Sequence, residues 1–229
     1  MNKTTLANSL IILLLILINS CKESANGGSI SEGTIIYNIE YPSDRNSSSL
    51  VSMMPDEMKI SFKGNNTVMD IEGNIFHVKY ITNIKQNKIY SLVDIVFNTY
   101  IMESDTSEPI FGFSQIKDIQ YEYTKDTTTI CGYHCKNAIA HAIIGNTKHD
   151  FTLWYTNDIK IKNPNTSNPF KKIDGVLLKF EVIMSDIYMS MCAKEVIKES
   201  IPDETFEVPS GCKPIDKRKL EDMIKSFSM

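Results

Sequence analysis

The chain has 229 residues, 42% hydrophobic and 23% charged, and its 24 Lys and Arg against 28 Asp and Glu give a formal charge of −4. That balance argues against a nucleic-acid partner, because holding a phosphate backbone takes a concentrated basic surface, and the only arginines are Arg45 and Arg218. The hydrophobic content rules out a wholly disordered chain, and the length suits one domain with a sizeable core.

At the amino terminus, Lys3 is followed by an unbroken apolar run from Leu10 to Ile18. A bilayer core about 30 Å thick needs roughly 20 apolar residues to cross, so this run is too short to span and has the length and flanks of a secretory signal. Asn19-Ser20 lead directly to Cys21, a pattern that resembles the lipobox of bacterial lipoproteins. The resemblance implies that residues 1–20 are removed and that Cys21 carries diacylglycerol as the new amino terminus, anchoring the chain to a membrane. Loss of Lys3 leaves 23 basic against 28 acidic residues, a charge of −5. Residues 21–32 are rich in Gly, Ser and Asn and cannot bury a core, so they read as a flexible tether in front of a single domain over 33–229. Lys22-Glu23 is similar to the charged signal that sends certain Bacteroidota lipoproteins to the outer face of the outer membrane. The chain is therefore expected in the cell envelope at the outer membrane, with the periplasmic and surface faces both open.

Behind the tether the dominant signal is period two, which sends alternate side chains to opposite faces of a sheet. Gly33 to Tyr41 shows it, with Ile35, Tyr37, Ile39 and Tyr41 on one face and Pro42-Ser43-Asp44 closing the run. A short helix over Ser47 to Met54 is an option. Met58 to Lys63 and Thr67 to Glu72 flank a Gly64-Asn65-Asn66 turn, and Ile75 to Thr82, Lys88 to Asp94 and Val96 to Glu103 continue a meander of antiparallel neighbours. Ser104 to Lys117, with Pro109 and Gly112, breaks the pattern and is expected to cross an end of the sheet. Strands resume at Asp118 to Lys125, Tyr133 to Ile144 and Asp150 to Thr156, and Asn163 to Asn168 reads as loop. Val176 to Met184 and Ile187 to Ile197 form a final hairpin about Ser185-Asp186, although the second segment also fits a short helix. Leu220, Met223, Ile224 and Phe227 recur at helical spacing, so a terminal helix lays that stripe on the sheet. The fold class is mainly β: a curved antiparallel sheet or half-open barrel of about ten or eleven strands with a C-terminal helix.

Several short motifs stand in order along this pattern. They are Cys131-Gly-Tyr-His-Cys135-Lys-Asn-Ala138, Trp154-Tyr-Thr-Asn-Asp-Ile159, Ile173-Asp-Gly-Val-Leu-Leu178 and Phe206-Glu-Val-Pro-Ser-Gly211, preceded by Met53-Met-Pro55. They resemble the uncharacterised Bacteroidota envelope proteins called GLPGLI proteins and a related domain of unknown function. The literal G-L-P-G-L-I run is missing, which favours the related domain. The likeness implies a fold similar to the half-open barrel of periplasmic lipoprotein carriers, with an apolar concave face under helices, and it supplies no catalytic residues.

With Cys21 acylated, Cys131, Cys135, Cys192 and Cys212 remain, an even number in a compartment outside the reducing cytosol. Two disulfides are the simplest expectation. Four extended residues span about 13 Å and bridged Cα atoms lie about 5.5 Å apart, which argues against joining Cys131 to Cys135 and leaves each to reach Cys192 or Cys212. A zinc site from Cys131, His134, Cys135 and one of His141 or His149 departs from structural zinc spacing, and along a strand His134 points away from both cysteines. His77, His141 and His149 read as surface or hydrogen-bonded residues. Asp126-Thr127-Thr128 resembles a short O-glycan acceptor on exported Bacteroidota proteins. No motif for a catalytic triad, paired carboxylates or a phosphate loop is apparent, and no cofactor is expected.

Three functions follow from this reading. The first is a membrane-anchored envelope lipoprotein that binds lipid or another apolar ligand in the concave face, helped by eleven adaptable methionines. In the second, a structural or interaction module docks another envelope protein. A thiol-dependent enzyme, which needs a reduced cysteine beside a histidine in a cleft, requires the most unexplained sequence.

Overall fold

A computed structural model describes residues 29–46, 49–73, 77–95, 97–220 and 223. The expected signal, Cys21 and most of the tether lie outside the described residues, as do Ile224 and Phe227 of the terminal stripe.

The strands are β1 (Glu32–Glu40), β2 (Glu57–Lys63), β3 (Asn66–Glu72), β4 (His77–Asn83), β5 (Lys88–Ile95), β6 (Asn98–Asp105), β7 (Ile116–Ile130), β8 (Tyr133–Ile144), β9 (Thr147–Thr156), β10 (Val176–Met184), β11 (Ile187–Ile197) and β12 (Lys213–Pro214). They form one sheet in the order β12-β6-β5-β4-β3-β2-β1-β11-β10-β9-β8-β7, which is not closed into a barrel. Two meanders, β1 to β6 and β7 to β11, are thus joined where the first strand pairs antiparallel with the eleventh. Burial follows the alternation in the sequence. Ile35, Tyr37 and Ile39 of β1 are buried, as are Met189, Met191 and Ala193 of β11.

The sheet coils strongly enough for strands far apart in the order to touch across its concave side. The Tyr37 hydroxyl reaches over β11 to donate to the Leu177 carbonyl at 2.8 Å. From β4, the Tyr80 hydroxyl donates to the Phe111 carbonyl at 2.8 Å and lies 3.8 Å from Met184 Sδ on β10. Paying for neither phenol with water, the buried backbone carbonyls satisfy groups that would otherwise be costly to desolvate.

The cover of the concave face is loop, where the lipoprotein-carrier likeness implies helices. Residues 106–115 insert Ile110, Phe111 and Phe113, and residues 157–175 insert Ile159, Phe170 and Ile173, all at most 5% exposed. The second loop buries Asn165, Thr166, Ser167 and Asn168 and answers their polarity locally. Asn165 Nδ2 donates to the carbonyls of Ile173 and Gly175 at 2.8 and 2.9 Å, and Asn168 Oδ1 accepts from the Phe170 amide at 2.9 Å. Lys171 Nζ ties the loops together through the carbonyls of Thr106 and Glu108, at 2.6 and 2.7 Å. A short helix begins at residue 217 and buries Leu220 completely in the same core.

Other differences have local causes. β7 runs to Ile130, five residues beyond the expected end, because an edge strand with both faces wet has no reason to alternate through Asp126 to Thr129. Its pairing with β8 slips twice, between Lys117 and Gln120 and between Tyr123 and Thr127. The option of a helix over Ser47 to Met54 is a short 3₁₀ turn at Ser49–Met53, and the second segment of the final hairpin is strand throughout. Beyond β11 a strap crosses the outer face of the first meander, where Phe206 and Cys212 pack against Val68, Ile81 and Leu92, and β12 then lines the β6 edge in parallel. No helix among the described residues is long and apolar enough to cross a membrane, which says nothing about crossing by strands.

Candidate functional site

The four cysteines are free thiols, so the two expected disulfides are corrected. Three of them lie near one another, the Cys131 and Cys192 thiols both approaching the Ala193 carbonyl, at 3.3 and 3.8 Å. Cys135 is fully buried on β8. Cys131 stands in the β7–β8 turn with φ of 50° and donates to the Ala193 carbonyl at 3.3 Å. Cys192 lies directly opposite Asn38 and Lys179 on its two neighbouring strands; both are exposed, and residues directly opposite share a face, so Cys192 points outward. Cys212 is on the strap, packed on the separate outer cluster, and donates to the Pro209 carbonyl at 3.3 Å. Burial pushes the Cys135 thiol up to about 11 and raises that of Cys131. His134 is exposed between buried Tyr133 and Cys135, on the opposite side of its strand.

The outer face of β3 to β6 holds a histidine clasp that sequence spacing did not reveal. His77 Nδ1 lies 2.7 Å from Asp94 Oδ2 on β5, and its Nε2 lies 2.7 Å from Asp70 Oδ1 on β3. Lys79 Nζ pairs with Asp70 at 3.0 Å, and the Thr99 hydroxyl donates to Asp94 at 2.6 Å. Neutral imidazole has one N–H, so two carboxylate partners favour the doubly protonated cation. Accordingly the His77 pKa is raised, by Asp70 first, against burial, and then by Asp94. With both nitrogens engaged, the ring has no lone pair to offer as a base. The clasp and residues Pro209 to Cys212 of the strap enclose a cleft of about 170 Å³. His141 shows the same chemistry at an exposed site, 2.7 Å from Asp150 and 3.5 Å from Glu122, while His149 stacks on Phe151 with centroids 6.1 Å apart.

A larger polar cleft, about 390 Å³, opens where the chain enters the domain, between the β2–β3 turn and the two ends of the loop over 157–175. An isolated parallel bridge sets its floor, with Ile30 beside Ile159 and the Lys160 amide donating to the Ile30 carbonyl at 2.7 Å. Its walls are braced internally. The Lys162 amide donates to Asn65 Oδ1 at 3.3 Å, Lys160 Nζ to the Asn157 carbonyl at 2.7 Å, and Asn157 Nδ2 to the Asp174 carbonyl. Gly175 is glycine for want of space: a Cβ there would meet Tyr155 Cδ2 at 2.7 Å and the Thr156 carbonyl oxygen at 2.8 Å. Tyr155 in turn makes an edge contact with Tyr123, centroids 6.4 Å apart, and Tyr123 stacks beside Tyr121 at 6.5 Å. Tyr155, Tyr123 and Tyr121 thus form an aromatic row from β9 to the open β7 edge, in which Tyr123 is 56% exposed. The alternation Tyr121-x-Tyr123 is visible in the sequence, whereas Asn65, Asn157, Tyr155 and Asp174 come from three distant segments.

Residues 68–169, just under half of the chain, match the family described as N-glycanase peptide, N-terminal domain. The matched stretch takes in nearly all of β3, all of β4 to β9, and much of the second covering loop. No curated protein matches the chain. The comparison therefore supplies similarity to a domain from an N-glycanase family, in place of the GLPGLI-related domain that the short motifs resemble.

Proposed function

We propose that this chain is a membrane-tethered, non-enzymatic recognition module of the bacterial envelope, which docks an external partner on the surface of its sheet domain. The observation that carries this reading is the occupied concave face. Ile110, Phe111, Phe113, Phe170 and Leu220 fill it from the chain's own loops and terminal helix, which favours surface docking over carriage of lipid. A thiol enzyme is disfavoured by the raised Cys131 and Cys135 thiols, which hold little thiolate near neutrality, and by the occupied nitrogens of His77. The tether and the Cys21 anchor rest on the sequence pattern alone.

Mass spectrometry of the full chain, extracted from a bacterial envelope in mild detergent, tests both parts. Covalent diacylglycerol on Cys21, lost with release to the soluble fraction in Cys21→Ser, is the expected result, with no further stoichiometric lipid. One retained equivalent of non-covalent lipid would overturn the module in favour of a carrier, and an unmodified Cys21 would overturn the anchor.

A further inference from the structure

We infer that Cys131 and Cys192 are a redox pair, joined by one disulfide when a small or protein disulfide oxidant reaches the domain and parted again by excess thiol. Both thiols approach one atom. Cys131 Sγ donates to the Ala193 carbonyl oxygen at 3.3 Å, and Cys192 Sγ lies 3.8 Å from the same oxygen. The two sulfurs are therefore about 7 Å apart at most, a gap that rotation of both side chains between staggered rotamers closes toward a bond of about 2.05 Å. Both residues are half-exposed, so an oxidant has access to them.

Two breaks in the ladder bring the pair together. Pairing of β11 with β10 ends at Cys192, opposite Lys179, and the register of β11 with β1 slips between Ile36 and Tyr37, beside Ala193. At this break the β7–β8 turn, from the far end of the sheet, meets β11. Cys131 and Gly132 in that turn have φ of 50° and 80°, left-handed values that Asn-Gly or Gly-Gly meets with least strain. A cysteine in the first place carries a backbone cost, and residues strained in this way collect at functional sites. The other two thiols are set apart. Cys135 is fully buried and raised to about 11, so it holds little thiolate for exchange, and Cys212 sits on the strap in the outer cluster.

Exchange takes two steps. The outward-facing Cys192 thiol loses its proton to solvent and its thiolate attacks the oxidant's disulfide, giving a mixed disulfide and a thiolate that takes up a proton. The Cys131 thiol, deprotonated in turn, attacks the Cys192 sulfur and releases the second half of the oxidant as a thiol. Two cysteine thiols are oxidised and one oxidant disulfide is reduced to two thiols. The bond ties the outermost hairpin of the sheet to β11, the strand that joins the two meanders, and closes a ring over residues 131–192.

The test uses the full chain in detergent, reduced with dithiothreitol, freed of it, and then treated with oxidised glutathione at about pH 8. Chymotryptic peptides are mapped without reduction, since a cut after Tyr133 separates Cys131 from Cys135. A linked Cys131–Cys192 peptide that dithiothreitol abolishes is expected. With it the unfolding temperature rises by about 5–10 °C in the parent and stays unchanged in Cys131→Ser and in Cys192→Ser; unfolding of the reduced variants beside the reduced parent reports whether each keeps the fold. Cys131 and Cys192 left free, or each capped by glutathione, would overturn the pair, as would a bridge from either to Cys135 or Cys212. A bridge that forms with no rise in unfolding temperature would overturn the tie between hairpin and β11.

Discussion

Removing the charge of His77 should change how stability depends on pH, and the change should be confined to a definable window. His77 bridges β3, β4 and β5 through two contacts of 2.7 Å. A hydrogen bond to a charged group contributes about 1.5–3 kcal/mol net, but these side chains are 26%, 28% and 42% exposed, so solvent screening reduces the pair to about 1–2 kcal/mol in total. The folded-state pKa of His77 is raised, so its contribution is full below the unfolded value of about 6.5 and disappears as pH rises through the higher folded value. Burial pushes the Asp70 carboxyl up, yet its bonds to His77 and Lys79 outweigh that and hold it below its ordinary range. Its contribution is therefore present above the unfolded Asp value of about 3.9 and is lost in stronger acid. The clasp should be tightest between about pH 4 and 6.5. Urea unfolding of the parent and His77→Asn at about pH 5.5, 7 and 8.5 measures this, the parent's advantage being expected to shrink by about 1–2 kcal/mol across the series. Comparison with the variant cancels His141, which carries a raised pKa of its own. An advantage that stays constant, or grows with pH, would refute the reasoning.

Three further outcomes follow from burial and backbone geometry. Phe170 is fully buried against Phe151, centroids 5.9 Å apart, so Phe170→Ala should cost about 3–5 kcal/mol in denaturant unfolding and open the concave face to an apolar fluorescent dye; unchanged dye binding with unchanged stability would contradict the filled face. Gly112 has φ of 85°, and a Cβ there would lie 2.8 Å from Met184 Cγ, so Gly112→Ala should destabilise by about 1–3 kcal/mol, read as a shift in the unfolding midpoint. Alkylation of the native chain with iodoacetamide near pH 8, followed by peptide mass mapping, should label half-exposed Cys192 and Cys212 before Cys135, whose thiol is buried and raised to about 11. Early labelling of Cys135 would show that the packing around this part of β8 opens readily.

Much of the strand framework was legible because one face of each strand meets a common core. Tyr133 to Ile144 and Val176 to Met184 coincide with their strands end to end, since both are dense in buried apolar side chains and bounded by turn residues. The signal failed where that force is missing. β7 is wet on both faces of its outer half, so its extension through Thr127 to Ile130 left no alternation to read, and β12 comprises two residues held by their position beside β6.

By itself, the sequence determined the β class and most of the turns, because these depend on local hydrophobicity and turn chemistry. The tertiary structure alone decided what fills the concave face and which distant groups meet. Asn163 to Asn168 has a loop's composition, yet Asn165 and Asn168 are buried and bonded within that loop. Cysteine number favoured two bridges, whereas all four thiols are free, with Cys131, Cys135 and Cys192 near one another and Cys212 apart from them on the strap. Asp70, His77 and Asp94 become neighbours through strand pairing, and Asn65, Tyr155 and Asp174 through the coiling of the sheet and the fold of one loop. Such contacts depend on register and curvature, which are set by long-range packing and leave no periodic trace along the chain.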